Sequence, residues 1–257
     1  GCPELGSRRE RDLSRWNWIR KRAAWKTATF AVVAPSRWLA ELAQSSSLLA
    51  GRRIETIPNA VDDAIFRPLD RAAARRELGL PEGAPVFLFA AHGAATDWNK
   101  GMDLWRAALP AVARKYPGAI AAVAGAPVGS LGGLPLPARE LGTLPPARLA
   151  RALAAADAAV VPSRMENLPN VVAESLACGT PVAAFAVGGI PEMIRPGETG
   201  FLAKPHDAEE LGRGICELLA RGGGMRAACA EFARAAYAPE SVARRHLDLY
   251  RSLLEPQ

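Results

Sequence analysis

The chain has 257 residues, of which 32 are Lys or Arg and 26 are Asp or Glu, so its formal net charge is +6. A composition of 49% hydrophobic and 23% charged residues is that of an ordinary globular protein and excludes a disordered or collagen-like chain. No apolar run reaches the roughly 18 residues needed to cross a bilayer. Four cysteines without a Cys-x-x-Cys spacing indicate neither a zinc site nor a disulfide framework. A reducing, cytoplasmic compartment is therefore the default expectation.

The first 29 residues are rich in basic and aromatic side chains. Eight Lys or Arg residues are interleaved with Trp16, Trp18 and Trp25. This pattern fits a surface that meets anionic lipid headgroups at the inner face of a membrane. It also fits a helix over about residues 12–29 that packs its tryptophans on another part of the protein, which we prefer. One basic helix without a known module does not indicate nucleic-acid binding.

Two short strands and one helix are predicted before residue 58. Residues 30–33 form an apolar run of strand length, and a second strand is expected at 54–57. Ser36 can cap a short helix that ends near Gln44. Because the chain opens at Gly-Cys-Pro and not at Met, we expect it to begin within a longer protein.

From residue 70 onward, predicted strands alternate with predicted helices, which indicates an α/β fold with a doubly wound parallel sheet. We expect helices at 71–78, from about 101 to 115 and at 146–155, strands at 86–91 and 119–125, and a loop at 125–138. The loop after the first strand contains His92, Gly93 and Lys100 and starts where ligands bind in such sheets. We expect a local hydrogen-bonding role for His92.

Residues 158–185 predict a strand, a polar loop, a helix and a second strand. The apolar run 158–161 has the length of a buried parallel strand. A helix fits from Pro169 to Cys178, because proline is favoured at the first helical position. Gly179 then supplies the left-handed residue that closes the helix.

Two carboxylates flank the start of this helix. Glu166 lies in the loop, and Glu174 lies about one and a half turns into the helix. Between them the backbone N–H groups from Asn167 to Val171 lie at the positive end of the helix dipole, which is an anion site. A carboxylate beside an anion site suits hydroxyl groups carried on the same molecule as a phosphate. The pattern therefore predicts nucleotide-sugar binding.

The remaining residues predict the second half of the sheet. Gly188-Gly189 forms a tight turn, where glycine lets the backbone come close to a ligand. A strand is expected at 201–203, followed by helices at 208–220, 225–237 and 239–254, with a glycine linker at 222–224.

One continuous motif contains both glutamates: Pro-Ser-x-x-Glu-Asn-Leu-Pro-Asn-Val-x-x-Glu-Ser-x-Ala-Cys-Gly-Thr-Pro-Val over residues 162–182. Gly-Gly-Ile-Pro-Glu at 188–192 and Gly-Glu-Thr-Gly-Phe-Leu at 197–202 come after it in order. Together these segments resemble the signature of family 4 glycosyltransferases of GT-B fold. The resemblance covers residues 30–257 well and 1–29 poorly.

The resemblance implies a GT-B architecture, in which two Rossmann-like domains face each other across a cleft. Residues 1–68 would be the C-terminal part of the N-terminal, acceptor-side domain. Residues 69–238 would form the nucleotide-sugar donor domain, and 239–257 a helix that crosses back to the first domain.

The resemblance also assigns roles to individual residues. Lys100 matches a lysine that clamps the donor's diphosphate, whereas Ala94 stands where the family has an arginine, so that cation is lost or comes from elsewhere, for instance from Arg164. Glu174 would accept from the ribose hydroxyls, and Glu166 would hold the donor sugar. Glu166 and Lys100 are the expected catalytic residues. The further donor-binding residues are Asn167, Leu168, Pro169, Gly93, Arg164, Thr143, Leu144, Gly188 and Gly189.

The implied activity is transfer of a sugar, with retention, from a nucleotide-diphosphate sugar to a saccharide or lipid-linked acceptor in polysaccharide or glycan synthesis. No metal or other cofactor is expected. A nucleotide-sugar-binding module without activity is an alternative, and so is an epimerase of the same fold. A dinucleotide-dependent oxidoreductase is disfavoured, because no Gly-x-Gly-x-x-Gly follows the strand at 86–91.

Overall fold

A computed structural model of the chain describes residues 5–91, 93, 96–126, 129, 131–221 and 223–255. The chain forms two compact units, Gly1–Ile57 and Pro58–Gln257. The second unit therefore begins eleven residues before the expected boundary at 68/69 and includes the last helix. Phe66 is buried in its core, and the N–H of Val61 donates to the carbonyl of Tyr237 at 3.0 Å, so the segment before residue 69 packs with the second unit.

The first unit has two helices and a pair of parallel strands, in the order α1 (Leu13–Trp25), β1 (Val32–Ala34), α2 (Arg37–Ser45) and β2 (Ile54–Thr56). The Ser36 hydroxyl accepts from the N–H of Leu39 and caps α2, as predicted. The predicted basic helix is confirmed, but it ends at Trp25 and buries none of its residues. Trp16 is 52% exposed and carries the guanidinium of Arg20 at 4.4 Å from its ring.

The second unit contains six strands and eight helices within its described residues. Their order is α3 (Arg71–Leu78), β3 (Val86–Ala90), α4 (Met102–Lys115), β4 (Ile120–Ala124), β5 (Ala138–Gly142), α5 (Pro146–Ala155), β6 (Ala158–Val161), α6 (Asn170–Ala177), β7 (Val182–Phe185), α7 (Ile190–Met193), β8 (Gly200–Ala203), α8 (Ala208–Arg221), α9 (Arg226–Tyr237) and α10 (Pro239–Leu254).

All six strands run parallel, in the order β5-β4-β3-β6-β7-β8. The chain builds outward from β3 in one direction and then outward from β6 in the other, so the winding reverses between these two strands. Because βαβ crossovers are right-handed, the two halves place their helices on opposite faces. α4 and α8 pack together as one set, and α3, α5, α6 and α9 pack in series as the other. The predicted doubly wound sheet is confirmed.

The two central strands are apolar throughout because they are covered on both faces. All residues of β3 and β6 are buried. The side chains of Phe87 and Phe89 in β3 are among the largest fully buried ones, and Phe89 packs 5.4 Å from the ring of Trp105 in α4. This core fixes the ends of β3 and β6 relative to each other.

A buried ionic network joins the amino ends of these two strands. Asp157, directly before β6, accepts from the guanidinium of Arg75 at 2.8 Å and from the N–H of Val86 at 2.8 Å. It also accepts from Arg71. Arg75 is 1% exposed and donates further to the carbonyls of residues 81, 82, 84 and 155. One carboxylate thus ties α3, β3 and the start of β6 together.

Two elements were not predicted from the sequence. β5 begins at the last residue of the expected loop 125–138 and is an edge strand that pairs with β4 alone. α7 is a single turn directly after Gly189. The described cysteines Cys178, Cys216 and Cys229 are free and buried. None of the helices found in the described ranges is long and apolar enough to span a membrane.

Candidate functional site

A cavity of about 550 Å³ lies where the sheet order reverses, at the carboxyl ends of β3 and β6. This is the position at which doubly wound sheets bind their ligands. Of the residues predicted to bind the donor, seven line it: Lys100, Thr143, Leu144, Glu166, Leu168, Pro169 and Glu174. The fold therefore gathers side chains from the loops after β3, β5 and β6 and from α6.

Lys100 and Glu166 form an ion pair at this cavity. The Lys100 Nζ lies 2.8 Å from the Glu166 Oε1, and the two side chains are 26% and 14% exposed. Lys100 ends a short turn after β3, and Glu166 lies in the loop after β6, so the neighbouring strands bring them together across 66 positions of sequence. A half-buried cation and carboxylate side by side can bind a phosphate and a hydroxyl group of one ligand.

The backbone of Glu166 is held by the turn at Gly188 and Gly189. The N–H of Gly189 donates to the Glu166 carbonyl at 3.2 Å. Gly188 has φ +54°, and a Cβ at this position would lie 1.7 Å from the same carbonyl oxygen. Glycine is needed here because the loop backbone that carries Glu166 lies against it, and neither glycine lines the cavity. Ligand contact by these two residues stays a prediction.

Glu174 lies on α6 and is half-buried in the cavity wall. Within the described part of the chain its carboxylate makes no hydrogen bond and no ion pair. Burial raises the pKa of Glu174 above its ordinary value of 4.5. A carboxyl group in a cavity wall that makes no hydrogen bond to the described residues is suited to hydroxyl donors of a ligand.

Glu174→Gln is expected to stabilise the ligand-free protein at neutral pH by less than about 2 kcal/mol. Because the pKa of Glu174 is raised by folding, the native protein loses stability as the pH rises from 4.5 through that raised pKa, and the glutamine variant does not. Between pH 4 and pH 8, the melting temperature of the variant should rise progressively above that of the native protein as the pH increases. Equal melting temperatures for both proteins at every pH would show that burial of the ionised carboxylate does not destabilise the native protein.

The first turn of α6 faces the same cavity through Pro169, Asn170 and Val171. The helix begins at Asn170 and ends at Ala177, one residue inside each predicted end. The N-cap residue, Pro169, makes no side-chain hydrogen bond to this end of the helix. The first N–H groups of a helix lack intrahelical acceptors, so this end supplies donors to an anionic group.

Arg164 does not line the cavity. Its guanidinium makes two hydrogen bonds to the Asp103 carboxylate, at 2.9 and 2.6 Å, and lies 4.3 Å from the ring of Trp98. Asp103 also raises the pKa of Arg164. The structure therefore gives this cation a role between two loops, which disfavours it as a replacement for the cation missing at Ala94.

Three further expectations concern the loop after β3 and the region around the site. Ala94 and His92 lie outside the described residues. Gly93 has φ +70° and its carbonyl accepts from Thr96 and Asp97, so it belongs to a turn away from the cavity lining. Within the described residues, no group of three or more His, Cys, Asp or Glu side chains could hold a metal ion.

One polar pair at the cavity was not predicted from the sequence. Asn59 Nδ2 donates to Asn170 Oδ1 at 3.1 Å, and both residues line the wall. The only sequence signal was the turn-forming Pro-Asn at 58–59, which could not show that the segment before α3 reaches α6.

The reversal of the sheet and the cavity beside it define a Rossmann-like ligand-binding protein. A profile of the family "Glycosyl transferases group 1" matches residues 84–221, which is more than half of the chain. The chain belongs to this family, and the resemblance seen in its motif is confirmed.

Two curated relatives are both named as D-inositol 3-phosphate glycosyltransferases. D-inositol 3-phosphate glycosyltransferase of Mycobacterium avium is 40% identical over 180 residues, which is 65% of this chain and 41% of that protein. D-inositol 3-phosphate glycosyltransferase 1 of Catenulispora acidiphila is 35% identical over 250 residues, 87% of this chain and 59% of that protein. The chain thus spans about two fifths to three fifths of these relatives.

Solved structures confirm the fold. Sucrose-phosphate synthase from Thermosynechococcus elongatus has a TM-score of 0.77 at 26% identity, over 97% of this chain and 65% of that one. HepE from Anabaena in complex with UDP has a TM-score of 0.75 at 21% identity, over 93% of this chain and 68% of that one.

Proposed function

We propose that this chain contains the donor-binding part of a glycosyltransferase that moves a sugar, with retention, from a nucleotide-diphosphate sugar to an acceptor. The observation that carries the proposal is the grouping of Lys100, Glu166 and Glu174 in one cavity at the reversal of the sheet.

The proposed chemistry rests on the charges in the cavity. Departure of a nucleoside diphosphate builds up negative charge, which preorganised donors stabilise in a water-poor site. Lys100, the N–H groups of Asn167 and Leu168 in the loop before α6, and the first N–H groups of α6 would receive that charge. Glu166 would hold the sugar hydroxyls, and Glu174 the ribose. No step in this scheme requires a metal ion.

Support for the donor class comes from the family and from HepE, which has been solved with UDP and with UDP-glucose. For the acceptor we propose a saccharide or lipid-linked sugar in cell-surface polysaccharide or glycan synthesis. A phosphorylated polyol is a second candidate, favoured by the names of the curated relatives. A sugar-nucleotide-binding module without turnover is the alternative, favoured by Ala94 in place of arginine.

We further propose that the protein works in the cytoplasm and that the exposed face of α1 packs on another part of the protein, with peripheral contact to anionic membrane as the alternative. Support comes from the exposed Leu13, Trp16 and Ile19 beside the basic residues of this helix.

Lys100→Ala and Glu174→Ala are each expected to weaken nucleotide binding by about 1.5–3 kcal/mol, because each removes a hydrogen bond to a charged group. The measurement is calorimetric titration of UDP, GDP and ADP into the native chain and both variants. Arg76→Ala and Glu217→Ala, which remove exposed ion-paired side chains outside the cavity, are the matched controls.

Binding of one nucleotide that both cavity variants weaken, and neither control does, would support the donor site and identify the base. Binding that none of the variants changes would contradict it. Sugar transfer by the complete protein, measured with the same nucleotide sugar, would then eliminate the binding-module alternative.

A further inference from the structure

Asn99 makes a two-point contact between the loop after β3 and the loop after β6. Its Nδ2 donates to the Met165 carbonyl at 2.8 Å, and its Oδ1 accepts from the Met165 N–H at 3.0 Å. The backbone carbonyl of Asn99 also accepts from the N–H of Arg164 at 2.8 Å. Asn99 therefore binds two successive residues of the facing loop, Arg164 through its backbone and Met165 through its side chain.

The two loops are close enough for this contact because their backbones meet. Gly101 has φ +69°, and a Cβ there would lie 2.0 Å from the carbonyl oxygen of Pro162. On the other side, the Arg164 guanidinium donates to the Trp98 carbonyl at 2.7 Å and to Asp103. Asn99 thus lies between two further contacts of the same pair of loops.

Asn99 and Met165 directly precede Lys100 and Glu166. The side-chain amide offers one donor and one acceptor to the one acceptor and one donor of a peptide unit, so its orientation is fixed by Met165. The contact sets the register of the two loops and therefore which side chains face each other one residue later. Its hydrogen bonds are exposed to water, which limits what they add to the stability of the fold.

We propose that Asn99 is a positioning residue that holds Lys100 opposite Glu166. The effect of Asn99 on ligand binding rests on the proposed function, because Asn99 acts only through Lys100 and Glu166.

The test is a double-mutant cycle on nucleotide affinity. UDP, GDP and ADP are titrated into the native chain, N99A, K100M and the double variant, with N17A as an asparagine-to-alanine control on the exposed face of α1. N99A is expected to weaken the tightest nucleotide about tenfold in the native background and less than about twofold in the K100M background. N17A should leave the affinity unchanged.

An equal loss in both backgrounds, or no loss at all, would overturn the proposal while leaving the donor site intact. Failure of every nucleotide to bind the native chain would instead count against the proposed function.

A second cycle needs no ligand. The effects of K100M and E166Q on the melting temperature should be non-additive in the native chain and in N17A, because the two side chains are paired. In N99A this non-additivity should fall by at least about half. Coupling of the same size in N99A would show that Asn99 does not hold the pair.

Discussion

Asp157→Ala is expected to lower the free energy of unfolding by about 3–5 kcal/mol, because it removes one partner from a buried ion pair. Asp157 is 5% exposed and accepts from Arg71, Arg75 and the N–H of Val86. Without it the guanidinium of Arg75 stays buried with carbonyl partners only, and the N–H of Val86 loses its acceptor. Both groups then carry the full cost of removal from water.

Urea unfolding followed by circular dichroism measures this loss. Glu82→Ala is the matched control, because Glu82 pairs with Arg76 at the surface, where both side chains are more than half exposed. The control should change the unfolding free energy by less than about 1 kcal/mol. A similarly small change for Asp157→Ala would mean that the buried network contributes little to the free energy of unfolding.

Gly188→Ala is expected to destabilise the protein by about 2–5 kcal/mol and to abolish nucleotide binding. The left-handed backbone costs about 1–2 kcal/mol for a residue with a Cβ. The clash with the Glu166 carbonyl adds about 1–3 kcal/mol, because a backbone atom cannot move aside as a side chain does. The loop must shift to relieve it, and Glu166 leaves its place beside Lys100.

Gly197→Ala separates these two causes. Gly197 also has a left-handed backbone, with φ +82°, but a Cβ there would meet no atom within 4 Å. This control should show the backbone cost alone and bind nucleotide normally. Equal melting temperatures and affinities for the two variants would contradict a specific approach of Gly188 to the Glu166 loop.

The sequence predicted the centre of the sheet well because its strands are apolar throughout. β6 and β7 have the predicted bounds, and β3 differs by one residue. β5 was missed because an edge strand needs one neighbour only. Its Arg139 and Glu140 interrupt any apolar run, and most of its residues are at least partly exposed.

The site was predicted in its residues but not in its contacts. The motif singled out Glu166 and Glu174, and the resemblance singled out Lys100. The Lys100–Glu166 ion pair depends on β3 and β6 being neighbours, which no local pattern shows. For the same reason the pairing of Arg164 with Asp103, 61 positions away, could not be predicted from the sequence.

The neighbours β3 and β6 are separated along the chain by α4, β4, β5 and α5. A growing chain that has reached only the end of α5 can pair β3 with β4 and β4 with β5, yet it lacks both the Glu166 loop and α6. At that stage the cavity has Lys100, Thr143 and Leu144 but lacks Glu166 and Glu174. Since ligands stabilise only the states they bind, the proposed nucleotide ligand would stabilise the completed sheet more than this partial one.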